Sequence, residues 1–305
     1  MSLDKKQFEV LCALEQFGKD LVAAKQIGIE RGLAEEDWNE TFDDLLHKGL
    51  LSSINSNTVE VTEKGRIALE PFRVKRAVII AAGFGSRLVP ITLNTPKPLV
   101  RVHGQMIIET LLDAITAAGI EEVIIVRGYL WEQFDQLLYK YPNVKFIQNP
   151  YFKEANNISS VYLAKDRLKG AYVCEADLLV SNPNIIRKYE FSTNYIGVWR
   201  QSTNDWCFDV EDGYIRHLSP SGGEDVYHMF GISYWTEEDG EKLAKCVEQV
   251  YNLPDGKQKY WDEVALGSFI DEFQVQIRPC RWEDIVEIDT YQELKAIDSI
   301  YDVKE

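Results

Sequence analysis

The sequence predicts an α/β protein in which a doubly wound, mostly parallel sheet follows a small, separate N-terminal module. Three observations carry this. Short apolar runs rich in β-branched residues recur at 77–82, 122–126, 144–147 and 171–174, each of a length suited to a strand buried on both faces. Amphipathic stretches at 107–118 and 131–141 separate the first three runs with short connections, the rhythm of strand–helix–strand units. The first 72 residues lack this rhythm, and Pro71-Phe72-Arg73-Val74-Lys75-Arg76 reads as the junction between a domain at 1–72 and one at 73–305.

In the N-terminal module, Phe8, Val10, Leu11 and Leu14 fall at helical spacing, 21–29 gives a second helix, and Trp38, Phe42, Leu45 and Leu46 give a third that Gly49 stops. Two short strands follow at 50–53 and 58–62, joined by the polar turn Asn55-Ser56-Asn57. The closing Val61-Thr62-Glu63-Lys64-Gly65-Arg66 resembles the wing and following helix of bacterial winged-helix domains, which implies binding to DNA or to a partner. Residues 1–70 hold eight basic and fourteen acidic side chains, so a DNA-reading basic stripe is disfavoured against an interaction or regulatory role.

The second domain opens on Ala77-Val78-Ile79-Ile80-Ala81-Ala82, and Gly83-Phe84-Gly85-Ser86-Arg87 follows it. The glycines let the backbone bend sharply, and successive N–H groups in such a turn form a concavity for phosphate. Arg87 adds a cation, while Pro90, Pro96 and Pro98 keep the next segment out of an α-helix and set Lys97 on a stiff loop within reach of the same anion. Leu88 stands where a dinucleotide fingerprint would carry its third glycine, which argues against a nicotinamide cofactor. Further along, the strand at 122–126 ends at Arg127-Gly128-Tyr129, and Asn156-Asn157-Ile158-Ser159-Ser160 opens a helix with more amide and hydroxyl groups than capping needs. Glu175-Ala176-Asp177 sits at the carboxyl end of the strand at 171–174. A carboxylate there suits Mg²⁺, which takes one or two carboxylates and completes its octahedron with substrate oxygens. Aromatic and acidic residues then interleave at Asn204-Asp205-Trp206, Tyr260-Trp261-Asp262-Glu263, Trp282-Glu283-Asp284 and Glu287-Ile288-Asp289. Ring faces beside carboxylates suit a quaternary ammonium.

Gly83, Gly85, Ser86-Arg87, Pro90, Thr92 and Pro96-Lys97-Pro98-Leu99 together resemble the signature loop of the sugar-phosphate nucleotidyltransferase superfamily, with its Rossmann-like fold. Gly128-Tyr129-Leu130, Asn156-Asn157 with Ser160, Asn204-Asp205-Trp206, Tyr260-Trp261-Asp262 and Glu287-Ile288-Asp289 narrow this: over residues 75–300 the chain resembles the bacterial CTP:phosphocholine cytidylyltransferases. The resemblance implies CTP and phosphocholine as substrates. It implies a nucleotide site at Ala81, Ala82, Gly83, Gly85, Ser86, Gly128, Tyr129, Asn156, Asn157 and Ser160. Arg87 and Lys97 would contact the triphosphate; independently of the resemblance, the place of Arg200 at the end of a strand at 195–199 makes it a further phosphate contact. Asp177 and Asp289 would hold Mg²⁺, and Trp206, Tyr260 or Trp261, and Glu287 would surround choline. Two departures stand out. Glu175 occupies a position that many relatives fill with aspartate, and Met106 replaces the proline usual in sugar-phosphate enzymes. Acceptors kept open beside phosphocholine are 2-aminoethylphosphonate, phosphoethanolamine and a sugar 1-phosphate; a transcriptional regulator that only senses such ligands is the reading from another class.

Composition fits these expectations. A net charge of −16 disfavours nucleic acid and anionic membranes over most of the surface and requires positive charge to be concentrated where a triphosphate binds. The five cysteines are scattered without a C-x-x-C pair, as in a reduced cytoplasmic protein, and the four histidines show no ligand spacing. No signal peptide or membrane segment is expected, and a homo-oligomer stays open.

Overall fold

The structure, a computed structural model, describes residues 2–18, 20–55 and 58–302. It divides into two compact units, residues 1–73 with 189–191 and residues 74–188 with 192–305.

In the first unit, α1 (Lys5–Phe17), α2 (Leu21–Glu30) and α3 (Glu35–His47) are followed by the antiparallel hairpin of β1 (Leu51–Asn55) and β2 (Thr58–Val61), then α4 (Glu63–Leu69). Side chains of Asp4, Asp20 and Thr62 accept backbone N–H groups at the starts of α1, α2 and α4, satisfying donors that a helix start leaves open. Phe8, Leu11, Leu14, Trp38 and Leu45 form the core of this unit. Of the predicted turn, Ser56 and Asn57 lie outside the described residues.

The second unit runs β3 (Arg76–Ala81), β4 (Arg101–Val102), β5 (Gln105–Met106), α5 (Ile107–Ala117), β6 (Glu122–Arg127), β7 (Val144–Gln148), α6 (Ile158–Leu163), β8 (Ala171–Glu175) and β9 (Leu178–Val180). β10 (Asn194–Thr203), β11 (Cys207–Glu211), β12 (Tyr214–Ser219), β13 (Gly223–Trp235), α7 (Glu237–Tyr251), β14 (Gln276–Pro279), β15 (Ile285–Glu287) and α8 (Tyr291–Ile297) complete it. β8, β3, β6 and β7 are parallel neighbours in that order. Alternate β3 residues serve the two faces: Ala77 and Ile79 pack with α5, whereas Val78 and Ile80 join the core that holds α6 and α7. Burial on both faces explains why these strands read as continuous apolar runs.

β13 pairs antiparallel with β8 and β10, and β11 and β12 form a hairpin, so the parallel core continues into an antiparallel half. The hairpin turn is Asp212-Gly213, with φ of +51° and +79°. Both residues are in the left-handed region that a two-residue hairpin demands, and this Asp-Gly pair is the sequence signal for the antiparallel half. The segment expected as a helix at 131–141 winds instead as a 3₁₀-helix, Trp131–Tyr139. Its buried Phe134 and Leu137 lie three residues apart, the spacing that repeats on one side of a 3₁₀-helix. Among the described residues, no helix is long and apolar enough to cross a membrane.

Gly128 follows β6, and a Cβ there would stand 2.8 Å from the Ala82 carbonyl oxygen and 3.0 Å from the Phe152 Cβ. Gly128→Ala is therefore expected to lower stability by about 1–3 kcal/mol, as overpacking does, read from the urea unfolding midpoint.

Candidate active site

In chain order the parallel core runs β3, β6, β7, then returns to place β8 on the other side of β3. Strand order thus reverses between β3 and β8, and a cleft at the carboxyl ends of those two strands is where such sheets bind ligands. A cavity of about 670 Å³ lies there, lined by Ala81, Ala82 and Gly83 from the end of β3 and by Glu175, Ala176 and Asp177 from the end of β8.

Gly85 takes φ of +68°, and a Cβ on it would approach the Lys97 Cβ to 2.9 Å. The loop can lie against Lys97 only because this residue is glycine. Lys97 is itself buried, and its Nζ donates to Asp177 Oδ2 (2.6 Å) and Asp289 Oδ1 (3.0 Å). Burial works against its charge, but the two carboxylates outweigh that and raise its pKa. Arg87, largely exposed, donates to the same Asp289 Oδ1 at 2.7 Å. Pairing of β9 with β15 sets Glu287 opposite Leu178, so the 175–177 and 287–289 segments meet although they are far apart in sequence.

The cluster brought together most tightly is Glu175, Asp177 and Glu287, whose oxygens lie within 4.8 Å of one another. Burial first, and then the Asp177 charge, push the Glu175 and Glu287 carboxyls well above the usual carboxylate range. Asp177 Oδ1 is buried without a hydrogen-bond partner. An oxygen-only set with one such atom fits a hard divalent cation. Asp289, which the sequence reading pairs with Asp177 as metal ligand, is joined to it through Lys97.

The remaining predicted residues divide. Gly83, Gly85, Ser86, Arg87, Asn156, Asn157 and Ser160 line the cavity, as do Trp206, Tyr260 and Glu287. Gly128 and Tyr129 brace the loop from behind: the Tyr129 N–H donates to the Ala82 carbonyl, and its hydroxyl to the carbonyls of Thr92 (2.9 Å) and Leu93 (3.0 Å). Asn157 Oδ1 accepts from the backbone N–H of Trp261 (2.9 Å), and Asn156 Nδ2 donates to the Gln258 carbonyl (3.2 Å), so both amides hold the 258–261 segment in place.

Two expectations are corrected. Trp261 is 1% exposed and stacks with Tyr195 in the core, because neighbouring residues of this segment point opposite ways and Tyr260 takes the cavity side. Arg200 does not line the cavity; its guanidinium lies over the Trp282 ring, 4.6 Å from the centroid. Sequence reasoning missed Asn149, whose buried amide donates to the hydroxyls of Ser159 and Ser160, and the role of Asp262. Asp262 is 2% exposed and accepts the Tyr195 hydroxyl at 2.6 Å. Burial pushes its carboxyl up to about 7 despite that bond.

A profile described as nucleotidyl transferase matches residues 76–202. A 2-aminoethylphosphonate cytidylyltransferase of Lancefieldella rimae is 39% identical over 229 residues, 74% of this chain and 92% of the relative. A choline-phosphate cytidylyltransferase of Streptococcus pneumoniae is 33% identical over 226 residues, 74% of this chain and 97% of the relative. The solved structure of CTP:phosphocholine cytidylyltransferase (LicC) from Streptococcus pneumoniae superposes with a TM-score of 0.69 at 33% identity, covering 75% of this chain and 99% of that one.

Because the Asp262 pKa is raised on folding, from an ordinary value near 4, its contribution to stability is complete below about pH 4 and is lost as pH rises through about 7. Asp262→Asn is expected to shrink the fall in unfolding free energy between pH 4.5 and 7.5 by on the order of 2–4 kcal/mol, measured by urea denaturation in metal-free buffer.

Proposed function

The chain belongs to the nucleotidyl transferase family, and from that premise we propose that it is a cytidylyltransferase. In this reading it transfers CMP from CTP to a small phosphorylated acceptor with an ammonium end, phosphocholine foremost, giving CDP-choline and pyrophosphate. One observation carries it: a single cavity is lined both by the glycine loop with Arg87 and Lys97 and by Trp206 and Tyr260 beside Asp205 and Glu287. The first set suits a triphosphate. The second suits a cation, since ring faces attract one at about 0.5–2 kcal/mol each.

A phosphate monoester with a second pKa near 6 is mostly a dianion at pH 7, so its oxygen attacks the α-phosphorus without a general base. That bond forms as the bond from α-phosphorus to the bridging oxygen breaks, and pyrophosphate leaves with the electron pair. N–H groups of the 83–87 loop, with Arg87 and Lys97, hold the triphosphate and oppose the charge on the leaving group. A divalent cation held by Asp177 with Glu175, Glu287 or Asp289, Mg²⁺ in our reading, neutralises phosphate oxygens when bound. What remains for the protein is to bring two anions together in line.

The 39% identical relative favours 2-aminoethylphosphonate as a second reading. A primary ammonium carries three N–H donors and suits the carboxylates, whereas a quaternary one has none and depends on ring faces.

Pyrophosphate release with Mg²⁺, over the four NTPs against phosphocholine, phosphoethanolamine, 2-aminoethylphosphonate and glucose 1-phosphate, is expected to be confined to CTP with phosphocholine. Turnover of 2-aminoethylphosphonate alone gives the acceptor to the second reading; turnover of glucose 1-phosphate alone removes the ammonium. Asp177→Asn should lower kcat by roughly 100-fold or more in a protein that still folds, checked by a cooperative thermal unfolding transition.

A further inference from the structure

The segment that follows β6 grips the glycine loop at both of its ends. At the first end the Tyr129 N–H donates to the Ala82 carbonyl at 3.1 Å. Beyond the loop, two side chains take three consecutive carbonyls. The Tyr129 hydroxyl shares its proton between those of Thr92 (2.9 Å) and Leu93 (3.0 Å), and Gln133 Nε2 donates to that of Asn94 (2.8 Å). Thr92 passes the restraint on, since its own hydroxyl donates to the Gly85 carbonyl at 2.9 Å. Gly85 is the residue that lies against Lys97. Neither Tyr129 nor Gln133 lines the cavity.

We propose that residues 129–133 form a clamp that keeps the glycine loop in its nucleotide-binding shape before CTP arrives, with Tyr129 and Gln133 as positioning residues. The proposal rests on the reading of the 83–87 loop as the holder of the triphosphate and names what sets the shape of that loop.

Three features support it. Gly83 and Gly85 give the free loop many conformations, so a shape fixed beforehand spares the nucleotide the entropy of ordering it. The clamp is also anchored at its base. Arg127, the last residue of β6, is buried with its guanidinium carbon 3.8 Å from the centroid of the Phe146 ring and 4.9 Å from that of Trp131. It donates to the Trp131 carbonyl at 3.1 Å, which ties the clamp to the sheet. Finally, Leu130 takes φ of +46°, a conformation that a leucine keeps only where its surroundings hold it, and such strain collects at functional sites.

Two substitutions remove only the polar grip. Tyr129→Phe keeps the ring, which meets Phe84 edge to face at 4.6 Å, and Gln133→Leu keeps the bulk without the donor. The Kd for CTP with Mg²⁺, measured by calorimetry without acceptor, is expected to rise about threefold in each variant and about tenfold in the double variant. The KM for CTP should follow, while kcat at saturating CTP and the KM for phosphocholine stay within about twofold. Hydrogen exchange at the Leu88 and Leu93 amides should quicken at least about fivefold in the ligand-free double variant and return to the wild-type rate with CTP and Mg²⁺. The Ile79 amide of β3 should exchange unchanged, which separates a loosened loop from a loosened fold. Unchanged loop exchange and CTP affinity in the double variant overturn the clamp and leave the cytidylyltransferase reading standing. If the loop exchanges faster but CTP affinity holds, the loop does not carry the triphosphate, and the proposal falls together with that reading of the loop.

Discussion

The Lys97 ammonium between Asp177 and Asp289 is the contact on which the site depends. It joins the glycine loop, the end of β8 and the segment after β15, residues separated by 80 and 192 positions in sequence. A lysine this buried loses hydration, and only the two carboxylates keep it charged; either acid alone would leave that balance far weaker. The bonds also fix polarity. Lys97 and Arg87 present positive charge on one side, while the oxygens of Glu175, Asp177 and Glu287 cluster on the other.

That crowding sets a condition on any ligand. A triphosphate approaches this cluster most easily with a cation, and burial together with the Asp177 charge, which raises the Glu175 and Glu287 pKa values, disfavours further negative charge there. The unpartnered Asp177 oxygen points to how the repulsion is relieved. In a chain of net charge −16, affinity for a nucleotide must come from this small region and not from the surface at large.

Much of the first half of the site was legible because it is local. Ala77–Ala82 is readable as a doubly buried strand, Gly83 and Gly85 as a turn that approaches a ligand, and Lys97 as a cation on a proline-stiffened loop. Its second half comes from contacts between distant segments. Nothing in Tyr260-Trp261 tells which ring enters the core; the distant Asn157 amide, which accepts the backbone N–H of Trp261, holds the segment in the orientation that buries Trp261. Nor does any local pattern show Arg200 on Trp282, or Asp262 under the Tyr195 hydroxyl, since each pair spans two strands or a strand and a loop. The antiparallel half did carry a local mark, Asp212-Gly213, but its consequence for the site, bringing His228 and Phe230 to Trp282, is a matter of sheet register.

A smaller cavity of about 130 Å³ adjoins the main one and shares Asp205, Glu287 and Asp289 with it, so the acidic residues of the site have different surroundings. Asp289 is tied up by two cations, Arg87 and Lys97. Asp205 Oδ1 accepts the backbone N–H of Trp206, and the residue lines both cavities. Glu287 faces the acid cluster on one side and the smaller cavity on the other, so a positive charge on either side lowers the cost of its ionisation.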